Sequence, residues 1–330
     1  MKKERSVAKK KERSIINKIF IISLCILLTV YSITIIYTLF WGLLSSFKNP
    51  YEFSDSPLMN NWLGFPTLDS SVPWDSTDYL IGFKNYKTLV EGYPLVEANC
   101  QVTFISNGQA VRHIATGGFP MVIVNTLLYT VVGALLHTIV PAVTAYAVAK
   151  YTNAVGKILT GVALFAMTTP IVGSQSSMLA MLRNIGIYDT FAGYLLQKAS
   201  FGGMYYFVFL AFYESLPDSF AEAAEIDGAS QLSVLMRIII PLSVKTLSTV
   251  FVIQFIASWN DYQTAYMYMP SHPTLSYVVW FLTNNNQSSG GGDMVVRVAG
   301  AMALAVPILV AFIFLKNKLM GNVTMGGLKQ

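Results

Sequence analysis

Six stretches of the chain run without a single Asp, Glu, Lys or Arg: 19–47, 114–149, 158–182, 199–213, 246–260 and 298–315. A membrane-crossing helix needs roughly 20 mostly apolar residues. The first three stretches meet that length directly, and the polar opening of the second is expected outside the bilayer. The fourth and fifth hold 15 residues each. They reach span length by recruiting Tyr194, Leu195 and Leu196, or Leu242 and Val244, with Lys198 snorkelling to the interface. The uncharged stretch after Asp261 is too rich in Asn, Gln, Ser, Thr, Pro and Gly to cross. The pattern predicts an all-α membrane protein with six transmembrane helices.

Composition agrees. The chain of 330 residues is 54% hydrophobic and 12% charged, against about 25% charged for an ordinary soluble domain. Disorder is excluded because it needs low hydrophobicity and high charge. The net charge of +5 is uneven: residues 1–18 carry eight Lys/Arg and two Glu. That segment reads as a cytoplasmic anchor beside the first span, not as a nucleic-acid surface. The apolar run after it is too long for a signal peptide and lacks a small-residue cleavage site. Six spans put both termini on one side. With the tail inside, the inner pieces hold 15 Lys/Arg in 73 residues and the outer pieces 7 in 121, as the positive-inside rule requires. Cys25 and Cys100 lie in unlike surroundings and are not expected to pair.

The predicted organisation is a basic tail over 1–18, a first span over 19–47, and an outside loop or cap over 48–118 rich in Tyr, Trp, Pro and Asn. A five-helix core over 119–320 follows, with an inside loop at 214–245, and then a cytoplasmic tail over 321–330. The inside loop carries the most local information. Pro217 suits a first helical turn, and Asp218, Glu222 and Glu225 place negative charge near the positive end of that helix. Gly228 then ends it as a left-handed cap. A second amphipathic helix follows, with Leu232, Leu235, Ile238 and Ile239 on one face, and Pro241 is expected to stop it. The small residues allow a partner to approach closely.

This segment resembles the EAA loop of ABC-importer permeases: EAA, three residues, Gly, nine residues, Ile, one residue, Leu, Pro. Glu222-Ala223-Ala224, Gly228, Ile238 and Pro241 match in register, and Asp227 precedes the Gly as it commonly does in the family. Ile240 stands where the pattern has Leu, a swap that conserves volume. Within that superfamily the chain resembles the carbohydrate branch, of the maltose-permease second-subunit type. Ile81-Gly82-Phe83-Lys84-Asn85-Tyr86, Asn125-Thr126-Leu127, Ser258-Trp259-Asn260-Asp261 and the closing stretch Gly321 to Lys329 carry this. Residues 91–119 have no counterpart in it.

The resemblance implies an ABC-importer permease fold with a cytoplasmic coupling helix in a bacterial inner or plasma membrane. It also implies binding-protein-dependent sugar import with three kinds of partner: a second permease subunit, an ATP-binding cassette ATPase dimer and an extracellular solute-binding protein. Glu222, Ala223, Ala224, Asp227, Gly228, Ile238 and Pro241 then become the ATPase-docking residues. The chain has no phosphate-cradling loop of its own. Its only Gly-Lys pair, Gly156-Lys157, has Tyr151 where the first Gly belongs and Ile158 where Ser/Thr belongs. No cofactor is expected on this chain, and ATP is used by the partner.

A sugar path needs hydroxyl partners and stacking faces rather than counter-charges. The candidates are Asn125, Ser174, Gln175, Tyr206, Gln254, Ser258, Trp259 and Asn260, densest at 254–261. Each could equally be a polar residue holding helices together. Asp261 is an ionisable group at a membrane boundary or a helix-end residue in water. Pro141, Pro170 and Pro307 are positioned to kink spans around a cavity. His113, His137 and His272 have no partner ligand at helical spacing, so no metal site is expected. A permease for an amino acid, peptide or polyamine remains the alternative. An intramembrane transferase is disfavoured, because no cluster of catalytic carboxylates or His marks one membrane face.

Overall fold

The computed structural model describes residues 2–48, 81–106, 109–151, 154–169, 173–217, 219–285 and 292–320. Pro170, Asp218, residues 286–291 and the closing stretch 321–330 lie outside them, as do 49–80 and 107–108 of the expected cap. The described chain is mostly helical and divides into two compact units, 1–88 with 287–302, and 89–286 with 303–330.

In the first unit, α1 (Lys2–Ser45) is a single helix. Its part Asn17–Ser45 is long and apolar enough to cross a membrane, and none of its most apolar window is buried within the protein. Ser32, Thr34 and Thr38 donate to carbonyls four residues back, at 2.8–2.9 Å, which satisfies the hydroxyls without a partner helix. α2 (Ile81–Glu91) holds the segment that follows α1. There the Asn85 amide donates to the carbonyls of Ser46 and Lys48 at 2.8 and 3.0 Å.

The second unit opens with α3 (Tyr93–Asn99) and an antiparallel hairpin, β1 (Gln101–Ser106) with β2 (Gln109–Ile114), registered Val102 to His113 and Phe104 to Val111. These elements occupy part of the expected cap. Then comes α4 (Gly118–Lys150), the central helix, packed along α8 (Met204–Glu214) and α11 (Ile240–Trp259). Small residues permit this. Ala142 and Ala145 are buried against Tyr206, Phe209, Tyr213 and Val250. A second cluster of Phe104, Tyr129, Leu182, Tyr188, Tyr194, Tyr268 and Met269 lies toward the hairpin. The remaining elements are α5 (Ala154–Thr168), α6 (Ser174–Ile185), α7 (Phe191–Lys198), α9 (Ser219–Ile226), α10 (Gln231–Val234), α12 (Tyr262–Tyr268), α13 (Leu275–Asn285) and α14 (Gly292–Met320).

Among the described residues, four helices are long and apolar enough to cross a membrane: Asn17–Ser45, Gly118–Lys150, Gln231–Trp259 and Met294–Phe314. Three expectations change. The run 158–182 is two helices, α5 and α6, because Gly173 sits at φ +81° where the chain turns. The run 199–213 does not recruit Tyr194 to Leu196. Those residues form α7, capped at its start by the Thr190 hydroxyl accepting from Gly193 N–H at 3.2 Å, and Gly203 at φ +106° separates it from α8. Pro241 does not stop its helix either. A π-helical turn at Leu235–Ile239 joins α10 to α11, with Ile240 N–H donating to the Leu235 carbonyl. Pro241 then falls in the first turn of α11, where no N–H is required.

Candidate functional site

The loop 214–245 folds as an elbow. α9 carries Glu222 in its first turn. Gly228 closes it at φ +81°, with Gly228 N–H donating to the Glu225 carbonyl and Ala229 N–H to the Ala224 carbonyl at 3.0 and 2.9 Å. This six-to-one closure is a Schellman cap and needs a left-handed residue. Ser230 then caps α10, accepting from Ser233 N–H at 3.3 Å. Lys150, the last residue of α4, donates to the Glu225 carboxylate at 2.6 Å, and the Gln231 amide donates to the same oxygen at 2.9 Å. Those contacts, from Lys150 first and then Gln231, hold the Glu225 carboxyl below the ordinary carboxylate range. One surface glutamate thus ties the elbow to the central helix.

The elbow's outer surface is bare. Glu222, Ala223, Asp227, Gly228 and Pro241 are exposed, and Ala224 and Ile238 half-buried. Ile226, Leu232 and Met236 are 86%, 68% and 56% exposed. Three exposed large apolar side chains within eleven residues of a bend that also exposes Glu222 and Asp227 are the composition of a contact surface.

At the other end of α11, Asp261 caps α12, its carboxylate accepting from Thr264 N–H at 2.9 Å. Lys198, from the end of α7, donates to the same carboxylate at 3.0 Å. Burial pushes the Asp261 carboxyl up, but the Lys198 charge and the Thr264 hydroxyl and N–H outweigh it and hold the group below its ordinary value. Beside this pair opens a cavity of 470 Å³ lined by Ser174, Gln175, Met178, Gln197, Asp261, Gln263, Thr264 and Tyr268. Its chemistry is hydroxyl and carboxamide.

A third cluster joins elements far apart in sequence. Asp189, 2% exposed and at φ +57°, accepts from His113 Nδ1 at 2.7 Å and from Ser271 N–H at 3.1 Å. Its own N–H donates to the Tyr268 carbonyl at 3.1 Å. His272 Nδ1 stands at 3.6 Å, too far for a hydrogen bond. Burial raises the Asp189 carboxyl, and contacts from His272, Ser271 and His113 bring it below the ordinary range. A cavity of 380 Å³ adjoins it, lined in part by Arg112, Asn125 and His272.

Residues 138–318, more than half of the chain, match the family of binding-protein-dependent transport system inner membrane components. The chain belongs to this family. Among its relatives is the trehalose transport system permease protein of Mycobacterium tuberculosis, 24% identical over 64% of this chain and 77% of that protein. Another is the diacetylchitobiose uptake system permease protein of Streptomyces coelicolor, 23% identical over 91% of this chain and 86% of that one. Among solved structures, a chain of a bacterial ABC transporter importing the acidic polysaccharide alginate shares the fold, with TM-score 0.65 and 19% identity over 91% of this chain and 96% of that one. This family member is therefore a multi-pass membrane protein of a transport system.

The expected path residues do not form one lining. Ser174 and Gln175 face the larger cavity, and Asn125 the cavity beside Asp189, its amide donating to the Pro273 carbonyl at 3.3 Å. Ser258 and Trp259 meet Thr126, Tyr129 and Tyr194 at a small cleft, with Trp259 Nε1 donating to the Leu304 carbonyl at 3.1 Å. Tyr206 is fully buried, its hydroxyl 2.8 Å from that of Thr160, and Asn260 donates to the Ile256 carbonyl at 2.9 Å. Tyr206 is thus packed in the core, Asn260 is exposed at the end of α11, and Gln254 is half-buried on α11. Gln197, Gln263, Thr264 and Tyr268 were missed because they lie in short helices outside every apolar run. No group of three or more metal-ligating side chains occurs among the described residues.

Proposed function

We propose that this chain is the transmembrane permease subunit of an ATP-driven importer that moves a sugar or oligosaccharide inward by alternating access. It works with a second permease subunit, an ATPase dimer that consumes the ATP, and an extracellular solute-binding protein. It resides in the bacterial cell membrane with six crossings and both termini inside, and it has no catalytic chemistry or cofactor of its own. The observation that carries this reading is the exposed, glycine-capped elbow in a chain of this transport family. α9 seats in a cleft of the ATPase, with Glu222 paired to a basic residue there, Ala223 and Ala224 allowing close backbone approach, and Ile226 and Leu232 losing their exposure. Lys150 and Glu225 pass the ATPase's movement to α4. Sugar cargo is supported by the relatives' printed substrates, trehalose and diacetylchitobiose, and by the hydroxyl- and amide-lined cavity at the far end of α11.

Glu222→Lys and Gly228→Asp each test the docking role. Both variants are expected in the membrane at wild-type abundance, with the ATPase absent from the purified complex and uptake of radiolabelled trehalose and melibiose reduced at least tenfold. Normal uptake together with normal ATPase co-purification in both variants would falsify it.

A further inference from the structure

The cavity beside the Asp261–Lys198 pair sits past the ends of α5 and α11 that face away from the elbow. It is therefore at the mouth of the path that a solute from outside would take. Its wall offers five neutral polar side chains from three helices: Ser174 and Gln175 of α6, Gln197 of α7, and Gln263 and Thr264 of α12. Tyr268 and Met178 add apolar surface, and the Tyr268 ring is fixed by its hydroxyl donating to the Gln175 carbonyl at 3.1 Å. The Gln197 carboxamide oxygen is buried and accepts no hydrogen bond. A buried acceptor left without a donor is costly, so among these groups it has most to gain from a hydroxyl. The volume of 470 Å³ falls within the roughly 300–1,000 Å³ usual for small-molecule sites.

The one charge in the wall, the Asp261 carboxylate, is cancelled by the neighbouring Lys198 ammonium. Lys198 and Asp261 close on each other at 3.0 Å, with side chains only 13% and 24% exposed. The Lys198 ammonium also reaches the Thr264 hydroxyl at 3.4 Å and stands 5.8 Å from the Tyr194 ring centre. An anionic solute would need an unpaired cation, and a zwitterion would have to separate the pair. Breaking a largely buried pair leaves an uncompensated charge and is strongly unfavourable. A solute bearing only hydroxyls meets neither obstacle.

We infer that this cavity is a subsite for an uncharged glycoside, with Gln197 and Gln263 as its hydrogen-bonding amides and the Asp261–Lys198 pair as a charge filter that turns away uronates. The inference rests on the sugar-importer reading and deepens it by naming the class of sugar. Asp261 is the positioning residue for the filter. Its own hydrogen bonds are spent on Thr264 and Lys198, and its contribution is to cancel the ammonium.

The test is equilibrium retention of radiolabelled trehalose, melibiose and alginate trisaccharide by the purified permease–ATPase complex in nanodiscs. The soluble binding protein is left out, so only the membrane subunits are read. Wild type is expected to retain a neutral disaccharide and not the alginate trisaccharide. Gln197→Ala and Gln263→Ala should each weaken neutral retention about three- to tenfold, the loss of one ordinary hydrogen bond. Asp261→Asn keeps a good helix cap but frees the Lys198 charge, and should reverse the preference toward the alginate trisaccharide. Asp261→Glu should restore the neutral preference. A merely structural role for the pair predicts no such reversal. Unchanged retention in both Gln variants, preference of wild type for alginate, or retention of no probe overturns the subsite. None of these results touches uptake by intact cells, which tests the importer reading separately.

Discussion

Two single residues carry conformations that other side chains resist, and their costs differ because their surroundings differ. Gly228 is held at φ +81° with nothing within 4 Å of the position a Cβ would take. A substitution there meets backbone strain without collision. Gly228→Ala is therefore expected to cost about 1 kcal/mol, read as a small fall in the thermal midpoint of the detergent-solubilised protein, whereas Gly228→Asp adds charge to the proposed docking surface and is expected to release the ATPase. Asp189 is the opposite case, a buried carboxylate at φ +57° serving the hairpin and the α12–α13 turn. Asp189→Asn keeps the shape and loses the charge, and should cost about 1–3 kcal/mol at neutral pH. The pH dependence has a definite sign. The folded protein holds this carboxyl below its ordinary value of 3.8, so the unfolded chain takes up the proton first. The stabilisation is complete above that value and is lost as pH falls below it toward the lower folded value. Between pH 6 and pH 3 the thermal midpoint of wild type should drop further than that of Asp189→Asn. Parallel curves would remove Asp189 from the outer packing.

At the scale of elements, one ion pair ties the elbow to the central helix. Lys150 ends α4 and Glu225 sits in α9, with 2.6 Å between Nζ and Oε1. If that contact transmits motion, Lys150→Glu should lower sugar-stimulated ATP hydrolysis severalfold, and adding Glu225→Lys should restore most of it. An unrestored double variant would mean that the contact is incidental. α4 also has a close crossing, where a Cβ on Gly133 would collide with the Tyr194 hydroxyl, which donates to the Tyr129 carbonyl. The elbow was legible in the sequence because its signals are local: acidic residues near a helix start, a glycine at its end, an amphipathic run after it. The first span was legible because nothing interrupts it. The breaks on either side of α6 and α7 were not, since a scan for charge-free runs is blind to backbone turns. Gly173 and the pair Gly202-Gly203 were the marks that such a scan passes over. Pro241 misled in the other direction, because a π turn lets a helix absorb what an α turn cannot. The Asp189 cluster had no sequence signal. His113 and Asp189 lie 76 residues apart, and no periodicity joins a hairpin to an interhelical turn.

At the scale of the molecule, the remaining question is which way the two polar ends face, since the elbow and the amide-lined cavity sit at opposite ends of α11. The distribution of Lys and Arg predicts that the elbow lies inside, and the proposed importer function requires it there, because ATP is inside. The native thiols permit a direct test. Cys100 is fully buried, and burial, its largest influence, pushes its thiol up to about 12, so little reactive thiolate is present at neutral pH. Cys25, exposed on the first span, is replaced by Ala to clear the background. In right-side-out membrane vesicles, a membrane-impermeant maleimide should then label Arg112→Cys at once. It should reach Leu232→Cys, whose parent side chain is 68% exposed, only after the vesicles are opened. Opened vesicles that retain the ATPase should protect Leu232→Cys, and stripping the ATPase should restore labelling. Protection of this kind separates a docked surface from one that merely faces the cytoplasm. Labelling of Leu232→Cys in sealed vesicles would place the elbow outside, beyond the reach of any ATPase, and the importer reading would not survive it.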